Sequence, residues 1–150
     1  MITVYLAGEI HTNWREEIIA HCDGLPIIFD GPNTNHAASD DCGTIILGAE
    51  DNKFWHDHKS AKLNAVRIRK GIQEADIVVV CFGAQYKQWN AAFDAGYAAA
   101  LGKSIMVLHP KEHQHALKEV DAAALVVAEK PKQIAHALHY ILDSTLPEGD

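Results

Sequence analysis

The sequence predicts an α/β fold of the doubly wound type, a three-layer sandwich with a mainly parallel five-stranded sheet in its middle. Short apolar runs alternate with helical patterns along the whole chain, and this alternation is typical of βαβ units joined by right-handed crossovers. Residues 77–82 are almost wholly apolar, as in a strand covered on both faces. The length of 150 residues, with 48% hydrophobic and 22% charged residues, predicts a single globular domain over residues 1–150.

The first half of the chain predicts two strands, one helix and a long loop. The strands are expected at residues 2–7 and 26–29. Asn13 lies three residues before Glu16 at the start of an apolar stripe, a spacing that predicts a capping box. Residues 30–54 are rich in Gly, Pro, Asn and Asp and predict an irregular loop, with at most a turn or short strand near its apolar centre. A loop this long in a compact domain is usually functional, as a lid or pocket wall.

The second half predicts three more strands and three helices. Apolar residues that step by three or four predict a helix with one apolar stripe, which consists of Ala61, Ala65, Ile68, Ile72 and Ala75. The remaining strands are expected at residues 77–82, 104–108 and 124–127, and the remaining helices at 88–101 and from Pro131 onward. In such sheets ligands bind beyond the carboxyl ends of the strands, where the strand order reverses. The predicted ligand site therefore comprises residues 5–12, 82–90 and 109–112.

Composition and charge narrow the range of partners. The formal net charge of −7 leaves no excess of Lys and Arg for a nucleic acid polymer, which is bound mainly through its phosphates. No apolar run approaches the roughly 20 residues that span a bilayer, and the N-terminus does not read as a signal peptide. The three cysteines are an odd number and do not indicate a disulfide framework. We therefore expect a cytoplasmic protein that binds a small molecule and neither a membrane nor a nucleic acid polymer.

Motifs for cofactors and metals are absent or malformed. No Gly-x-Gly-x-x-Gly follows the first strand, so a dinucleotide is not expected. The run from Gly96 to Ser104 looks like a phosphate-binding loop, but it is one residue too long and leads from helix into strand. His56 and His58 are alternate residues of a predicted helix and point to different faces, which disfavours a metal site. The sequence predicts no cofactor and no metal.

One helix face collects polar residues at the predicted ligand edge. Asn90, Asp94 and Tyr97 are spaced by four and three residues, so they share a face. The helix dipole is expected to keep the Asp94 carboxylate ionised, and Asn90 can orient it. An ionised, oriented carboxylate is what attack on an anomeric carbon requires. The alternative is that Asp94 has no catalytic role and only interacts favourably, as a negative charge near the N-terminus, with the helix dipole.

Three runs carry a family resemblance: Val-Tyr-Leu-Ala-Gly at 4–8, Ala-Asp-Ile-Val-Val at 75–79 and Asp-Ala-Gly-Tyr-Ala at 94–98. In this order they resemble the opening strand, the central strand and the nucleophile helix of the nucleoside 2-deoxyribosyltransferases, over roughly residues 2–109. The run Gln-Trp-Asn-Ala-Ala-Phe-Asp-Ala-Gly at 88–96 is similar to the YtoQ-type branch of that superfamily.

The resemblance implies a flavodoxin-like fold and a double displacement at the anomeric carbon of a nucleoside or nucleotide. Asp94 falls where the family has its nucleophilic Glu, and Tyr5 falls on the Tyr that holds the nucleophile in place. A second base or water would resolve the glycosyl-enzyme ester, so a transferase and a hydrolase both stay open. The transferases are oligomers, and a homodimer or larger homo-oligomer is expected here.

The chain also departs from the family pattern. Ile68 and Gln88 stand where the transferases have acids, so the alternative function is a non-catalytic nucleoside- or nucleotide-binding protein of the same fold. The expected substrate-binding residues are Gly8, His11, Asn64, Arg67, Gln88, Trp89, Asn90 and His109. The leaving base needs a proton donor, for which the candidates are His11, His109, or His36 with Asp40 and Asp41.

Overall fold

The computed structural model describes residues 1–85 and 87–149. Its strands are β1 (Ile2–Gly8), β2 (Ile27–Asp30), β3 (Ile77–Cys81), β4 (Ser104–Leu108) and β5 (Val126–Ala128). Its helices are α1 (Trp14–His21), α2 (His36–Leu47), α3 (Lys53–Glu74), α4 (Trp89–Ala100), α5 (Lys118–Ala123) and α6 (Pro131–Asp143), with a 3₁₀ turn at Lys111–His113. No helix of the described residues is long and apolar enough to cross a membrane.

The five strands form one sheet in the order β2-β1-β3-β4-β5. All four neighbouring pairs are parallel, which confirms the predicted doubly wound, flavodoxin-like α/β fold. The strand order reverses between β1 and β3, so a ligand site is expected above that pair. The register sets Tyr5 of β1 between Asp30 of β2 and Val78 of β3.

The two faces of the sheet carry separate layers of helices. Alternate strand residues such as Val4 and Leu6 point to one face and pack against α1 and α6. The residues between them, such as Tyr5 and Ala7, point to the other face and pack against α3 and α4. Because side chains alternate along a strand, Tyr5 lies on the same face as the helix that carries Asp94.

The prediction of an irregular loop over residues 30–54 is wrong, because α2 occupies the middle of it. Asn35 caps this helix by accepting a hydrogen bond from the Ala38 N–H at 3.0 Å. At Gly43, α2 approaches α3 so closely that a Cβ would collide with the backbone of Ser60. Helix propensity is low for the Gly, Ser and Asp in this stretch, and packing against α3 stabilises the helix instead.

Three smaller expectations differ from the structure. Asn13 precedes α1, but its side chain makes no capping hydrogen bond. The short helix α5 and the 3₁₀ turn before it were not predicted, because six and three residues are too few to show a helical period. The apolar stripe of α3 is fully buried only at its lower end, at Ile72 and Ala75.

Candidate active site

A large cavity lies between α3 and α4, on the face of the sheet that carries Tyr5. It has a volume of about 610 Å³. The wall from α4 consists of Asn90, Phe93, Asp94 and Tyr97. The facing wall from α3 includes Ser60, Asn64 and Ile68, and Ser39 and Asp40 of α2 complete the lining on that side. The structure thus brings the predicted Asn90, Asp94 and Tyr97 face to a cavity.

The Asp94 carboxylate forms no hydrogen bond or ion pair within the described residues, as expected of a group that faces a ligand space. Burial raises its pKa from 3.8 to about 6. The sequence led us to expect that the helix dipole keeps this carboxylate ionised, whereas the direction of its pKa shift is set by burial, which favours the protonated form. Asp94 is the sixth residue of α4, and the influence of the dipole falls off after the first turn, so burial prevails.

Tyr5 presents a buried hydroxyl beside this carboxylate. The side chain is 1% exposed, and the hydroxyl has no hydrogen-bond partner among the described residues. Burial, together with the charges of Asp94 and Asp30, raises the Tyr5 pKa well above its usual value. The ring fits because residue 71 of α3 is glycine, where a Cβ would lie 2.8 Å from the Tyr5 Cδ2.

The sequence relatives assign the family. The model of the family described as Nucleoside 2-deoxyribosyltransferase YtoQ matches residues 5–142. The chain is 43% identical over 143 residues to the Bacillus subtilis (strain 168) protein described as Uncharacterized protein YtoQ, a match that covers 94% of this chain and 97% of that protein. The chain belongs to the YtoQ family. This membership supports N-glycosyl transfer or hydrolysis on nucleosides as the general chemistry.

Solved structures with the same architecture lie further away in sequence. A 2-deoxyribosyltransferase from Bacillus psychrosaccharolyticus is similar with a TM-score of 0.58 and 18% identity, over 89% of this chain and 90% of that one. The Clostridium botulinum CMP N-glycosidase BcmB is similar with a TM-score of 0.51 and 15% identity, over 93% and 99% of the two chains. At such identities the likeness shows the fold alone, and the YtoQ-family chain shares that fold.

In this YtoQ-family chain, Asn64 borders two neighbouring cavities. Its Nδ2 donates to the backbone oxygen of Ser39 at 3.0 Å and to the Ser39 hydroxyl at 3.1 Å, so the amide nitrogen is committed to holding α2. A second cavity of about 460 Å³ shares Asn64 and is lined by Arg67. Arg67 donates from Nη1 to the backbone oxygen of Gly31 at 2.9 Å. Of the two predicted residues on α3, Asn64 thus lies in the wall of the main cavity and Arg67 lies in the neighbouring one.

The end of β1 is shaped by a glycine and a buried arginine. Gly8 has a φ of +105° and packs so closely on the Cys81 backbone that a Cβ would collide with it. Arg15 donates to the backbone oxygens of Leu6 at 3.0 Å and of Gly8 at 3.2 Å. Gly8 therefore serves the turn after β1, and Arg15, which the sequence did not single out, fixes that turn.

The structure does not bring His109 to the cavity of Asp94. His109 is 2% exposed, and its Nε2 lies 2.8 Å from the Asp121 carboxylate while its Nδ1 lies 2.7 Å from the backbone oxygen of Pro110. It lines a separate cavity of about 220 Å³ with Trp14 and Pro131. These two residues begin α1 and α6, which cover the opposite face of the sheet, so that cavity lies on the face away from Asp94.

The remaining predicted residues, Gln88, Trp89 and His11, do not line the cavity of Asp94. Trp89 is 76% exposed, and the Gln88 Nε2 is buried without a hydrogen-bond partner in the described chain. His11 is exposed, with its ring centroid 5.7 Å from that of His36. His36 in turn contacts Asp40, which lines the main cavity.

Several lining residues were not predicted from the sequence. They are Ser39, Lys53, Asp57, Ser60, Arg69 and Phe93. Ser39 and Lys53 fall in the segment 30–54, which was predicted to be a lid or pocket wall without these residues being named. Asp57 and Ser60 lie on the first turns of α3, which no residue pattern marked as a cavity wall. The apolar stripe of α3 was a usable signal, since its upper residues Ala61, Ala65 and Ile68 line the cavity. Within the described residues, no group of three or more His, Cys, Asp or Glu side chains could hold a metal ion.

Proposed function

We propose that this protein breaks the N-glycosidic bond of a nucleoside or nucleotide, with Asp94 as the nucleophile. The observation that carries the proposal is a carboxylate in the wall of a cavity of about 610 Å³, unengaged by any described side chain, with the Tyr5 hydroxyl buried and unpartnered beside it. Buried polar groups almost always have partners. A carboxylate without a partner in a cavity wall, whose charge acts on a buried hydroxyl without a partner, therefore favours a role toward a ligand over one in stability.

The proposed reaction has two displacements at the anomeric carbon. An Asp94 oxygen attacks that carbon, the carbon–nitrogen bond breaks, and the base leaves with the bonding electrons and accepts a proton from water or from an acid that borders the cavity. In the substrate complex the Tyr5 hydroxyl, which is unpartnered among the described residues, would donate a hydrogen bond to the carboxylate and keep one oxygen aimed at the sugar. A second base, or water, then attacks the ester and frees Asp94. The first acceptor gives a transferase and the second a hydrolase.

The raised pKa of Asp94 suits this role. With a pKa of about 6, the carboxylate is mostly ionised at neutral pH and is still poorly solvated. A poorly solvated carboxylate is more reactive toward an electrophilic carbon than one that water surrounds. Turnover is accordingly expected to fall as the pH drops below about 6, because the protonated acid cannot attack.

A second candidate is a nucleoside- or nucleotide-binding protein without turnover. Ile68 favours it, because this residue lines the cavity at a position where the resembled transferases carry an acid that handles the base. An apolar residue there can contact a base but cannot exchange a proton with it. The cavity would then bind the ligand, and Asp94 would not attack its anomeric carbon.

Incubation with a panel of deoxynucleosides, ribonucleosides and their monophosphates separates the two candidates. The released base is measured by chromatography for the wild type, for Asp94→Asn and for Asp23→Asn. Asp23 is an exposed acid outside the cavity and serves as the matched control. Base release that Asp94→Asn abolishes and Asp23→Asn preserves supports the enzyme. Binding without release in all three proteins supports the binder.

We further propose one domain over residues 1–150 that assembles as a homodimer or larger homo-oligomer. Trp89, the first residue of α4, and Phe93, which lines the cavity, are 76% and 60% exposed. Large apolar side chains that stay exposed next to a site are typical of surfaces that a partner covers. Light scattering coupled to size-exclusion chromatography measures the mass, and a monomer at micromolar concentration would contradict this part of the proposal.

A further inference from the structure

Arg67 brings a positive charge to the carboxyl edge of the sheet, close to the Tyr5 hydroxyl. α3 ends at Glu74, just before β3 begins, so its earlier residues lie nearer to that edge. Arg67 is one helical turn, or about 6 Å, nearer to the edge than Gly71, on which the Tyr5 ring packs. The charges of Arg67 and Asp94 both act on the Tyr5 hydroxyl, the first lowering and the second raising its pKa. The guanidinium and the proposed nucleophile therefore lie near the same hydroxyl.

A single hydrogen bond holds the guanidinium of Arg67 and leaves its charge unpaired. Nη1 donates to the backbone oxygen of Gly31, directly after β2, at 2.9 Å. Within residues 1–85 and 87–149, the side chain of Arg67 forms no other hydrogen bond and no ion pair. The neighbouring acid, Asp30, accepts the Gly31 N–H at 2.7 Å instead. Because a guanidinium has five N–H donors and stays charged at neutral pH, most of its donors and its full charge are available to a ligand.

The cavity in front of Arg67 adjoins the cavity of Asp94. Arg67 lines the neighbouring cavity of about 460 Å³ together with Asn33 and Thr34, and Asn64 borders both cavities. Among the described residues of that lining, Arg67 is the one with a charge, so no acid there opposes an anion. The Oδ1 atom of Asn33 accepts a backbone N–H at 3.1 Å, which leaves its amide nitrogen as a donor. A charged wall with further N–H and O–H donors suits an anion with several oxygens.

The two cations that line the cavity of Asp94 itself are less suited to hold an anion. Arg69 makes no hydrogen bond or ion pair with any residue that the structure describes, so nothing fixes its guanidinium in one place. Lys53 begins α3, about 27 Å along the helix axis from Gly71, and is therefore remote from the Tyr5 ring. Arg67 combines a fixed guanidinium with a position close to Tyr5.

We propose that the substrate is a nucleoside monophosphate and that Arg67 binds its phosphate while the sugar lies against Asp94; this assignment rests on the proposed function. A guanidinium matches a phosphate through parallel N–H···O bonds, and the phosphate supplies the anionic partner that Arg67 lacks. The ligand would extend from Asp94 past Asn64, which borders both cavities. Carbon 5′ and carbon 3′ of the sugar can each carry the phosphate, and the test distinguishes them.

The test compares one nucleoside in its free form, as the 5′-monophosphate and as the 3′-monophosphate, with the full-length protein. The wild type is expected to have a kcat/KM for base release about 10- to 100-fold higher for one monophosphate than for the free nucleoside. Arg67→Gln is expected to abolish this preference, mainly by raising KM for the monophosphate. Lys62→Gln is the matched control, because Lys62 is an exposed cation of α3 outside both cavities, and it is expected to keep the preference.

Three results would overturn the assignment while the proposed function stands. One is a wild type that uses the free nucleoside as well as it uses both monophosphates. Another is an equal loss on all forms in Arg67→Gln, as expected if Arg67 only fastens the segment at Gly31. The third is a loss of preference in Arg69→Gln and not in Arg67→Gln. Arg67→Lys covers the case in which Arg67→Gln folds poorly, since it keeps the charge without the fork and is expected to reduce the preference.

Binding to Asp94→Asn, which lacks the proposed nucleophile, separates the assignment from the proposed function. Calorimetry is expected to give a Kd about 10- to 100-fold lower for the preferred monophosphate than for the nucleoside, and adding Arg67→Gln is expected to remove the difference. Equal binding of all forms to Asp94→Asn would overturn the phosphate assignment. A wild type that releases no base from any form would instead overturn the proposed function.

Discussion

Replacing Asp94 with Asn should stabilise the protein, because the fold holds this carboxyl group where ionisation is unfavourable. Burial raises the pKa of Asp94 from 3.8 to about 6. In the unfolded chain the group ionises as the pH rises through 4, whereas in the folded protein it does so only near 6. The folded state therefore loses stability as the pH rises through this window, and the loss is complete above it.

The difference between the two pKa values sets the size of the effect. About 2.2 units between 3.8 and 6 correspond to about 3 kcal/mol, and solvent at the open side of the cavity screens part of it. We expect Asp94→Asn to raise the free energy of unfolding at pH 7.5 by about 1 to 3 kcal/mol, equivalent to roughly 2–4 °C in Tm per kcal/mol for a chain of this size. At pH 5 the gain should shrink to about half.

Urea unfolding of the wild type and Asp94→Asn at pH 7.5 and pH 5 measures both numbers, with Asp23→Asn as the control for loss of a surface charge. A variant that is less stable than the wild type at pH 7.5 would refute the reasoning. So would a gain that is the same at both pH values, because it would have a cause other than ionisation. A gain combined with lost activity is the pattern expected of a functional carboxylate, since such groups are retained at the expense of stability.

Three further predictions concern the same site. Gly71→Ala should destabilise the protein by about 1–3 kcal/mol, because the added Cβ would lie 2.8 Å from the Tyr5 Cδ2. Gly96→Ala, by contrast, has open space around it on α4 and should stabilise the protein by about 0.5–1 kcal/mol. Tm shifts of the same sign in the two variants would contradict this prediction. Tyr5→Phe should leave the unfolding free energy unchanged or raise it by about 1 kcal/mol while base release falls, and a clear loss of stability would show that the hydroxyl has a structural partner. Asp94→Glu should reduce kcat by about 10- to 100-fold if the cavity is fitted to the shorter acid, and steady-state kinetics that improve would show that it is not.

The sheet and the α4 wall could be predicted from the sequence because their signals are local. Strands such as β3, which is buried along its whole length, appear as apolar runs, and the shared face of Asn90, Asp94 and Tyr97 follows from helical spacing alone. The helix α2 gives no such signal. Its stretch is rich in residues that disfavour helices, and it folds because Gly43 and Ser60, 17 residues apart, fit closely together. A contact of that kind is a property of the tertiary structure.

The same limit explains why His109 was expected near Asp94. Sequence order and strand ends place both residues at the carboxyl edge of the sheet, and to that extent the expectation agrees with the structure. The edge has two sides, however, and the helix layers above and below it form different cavities. Which side a loop residue takes depends on its partner, and for His109 that partner is Asp121 on α5, a helix too short to be predicted.

The cavity therefore combines two parts with different origins. The side of the proposed nucleophile, with Tyr5 and Asp94, lies on the sheet and on the helix that follows its central strand, where doubly wound folds have their ligand crevice. The side that would meet the base lies on α2 and the upper turns of α3, which meet through Ser60 and Asn64. Because the fold requires only the first part, the second can change without disturbing the sheet. Differences in the base accepted, and in the group that protonates it, are accordingly expected to map to α2 and upper α3, while Tyr5 and Asp94 keep their places.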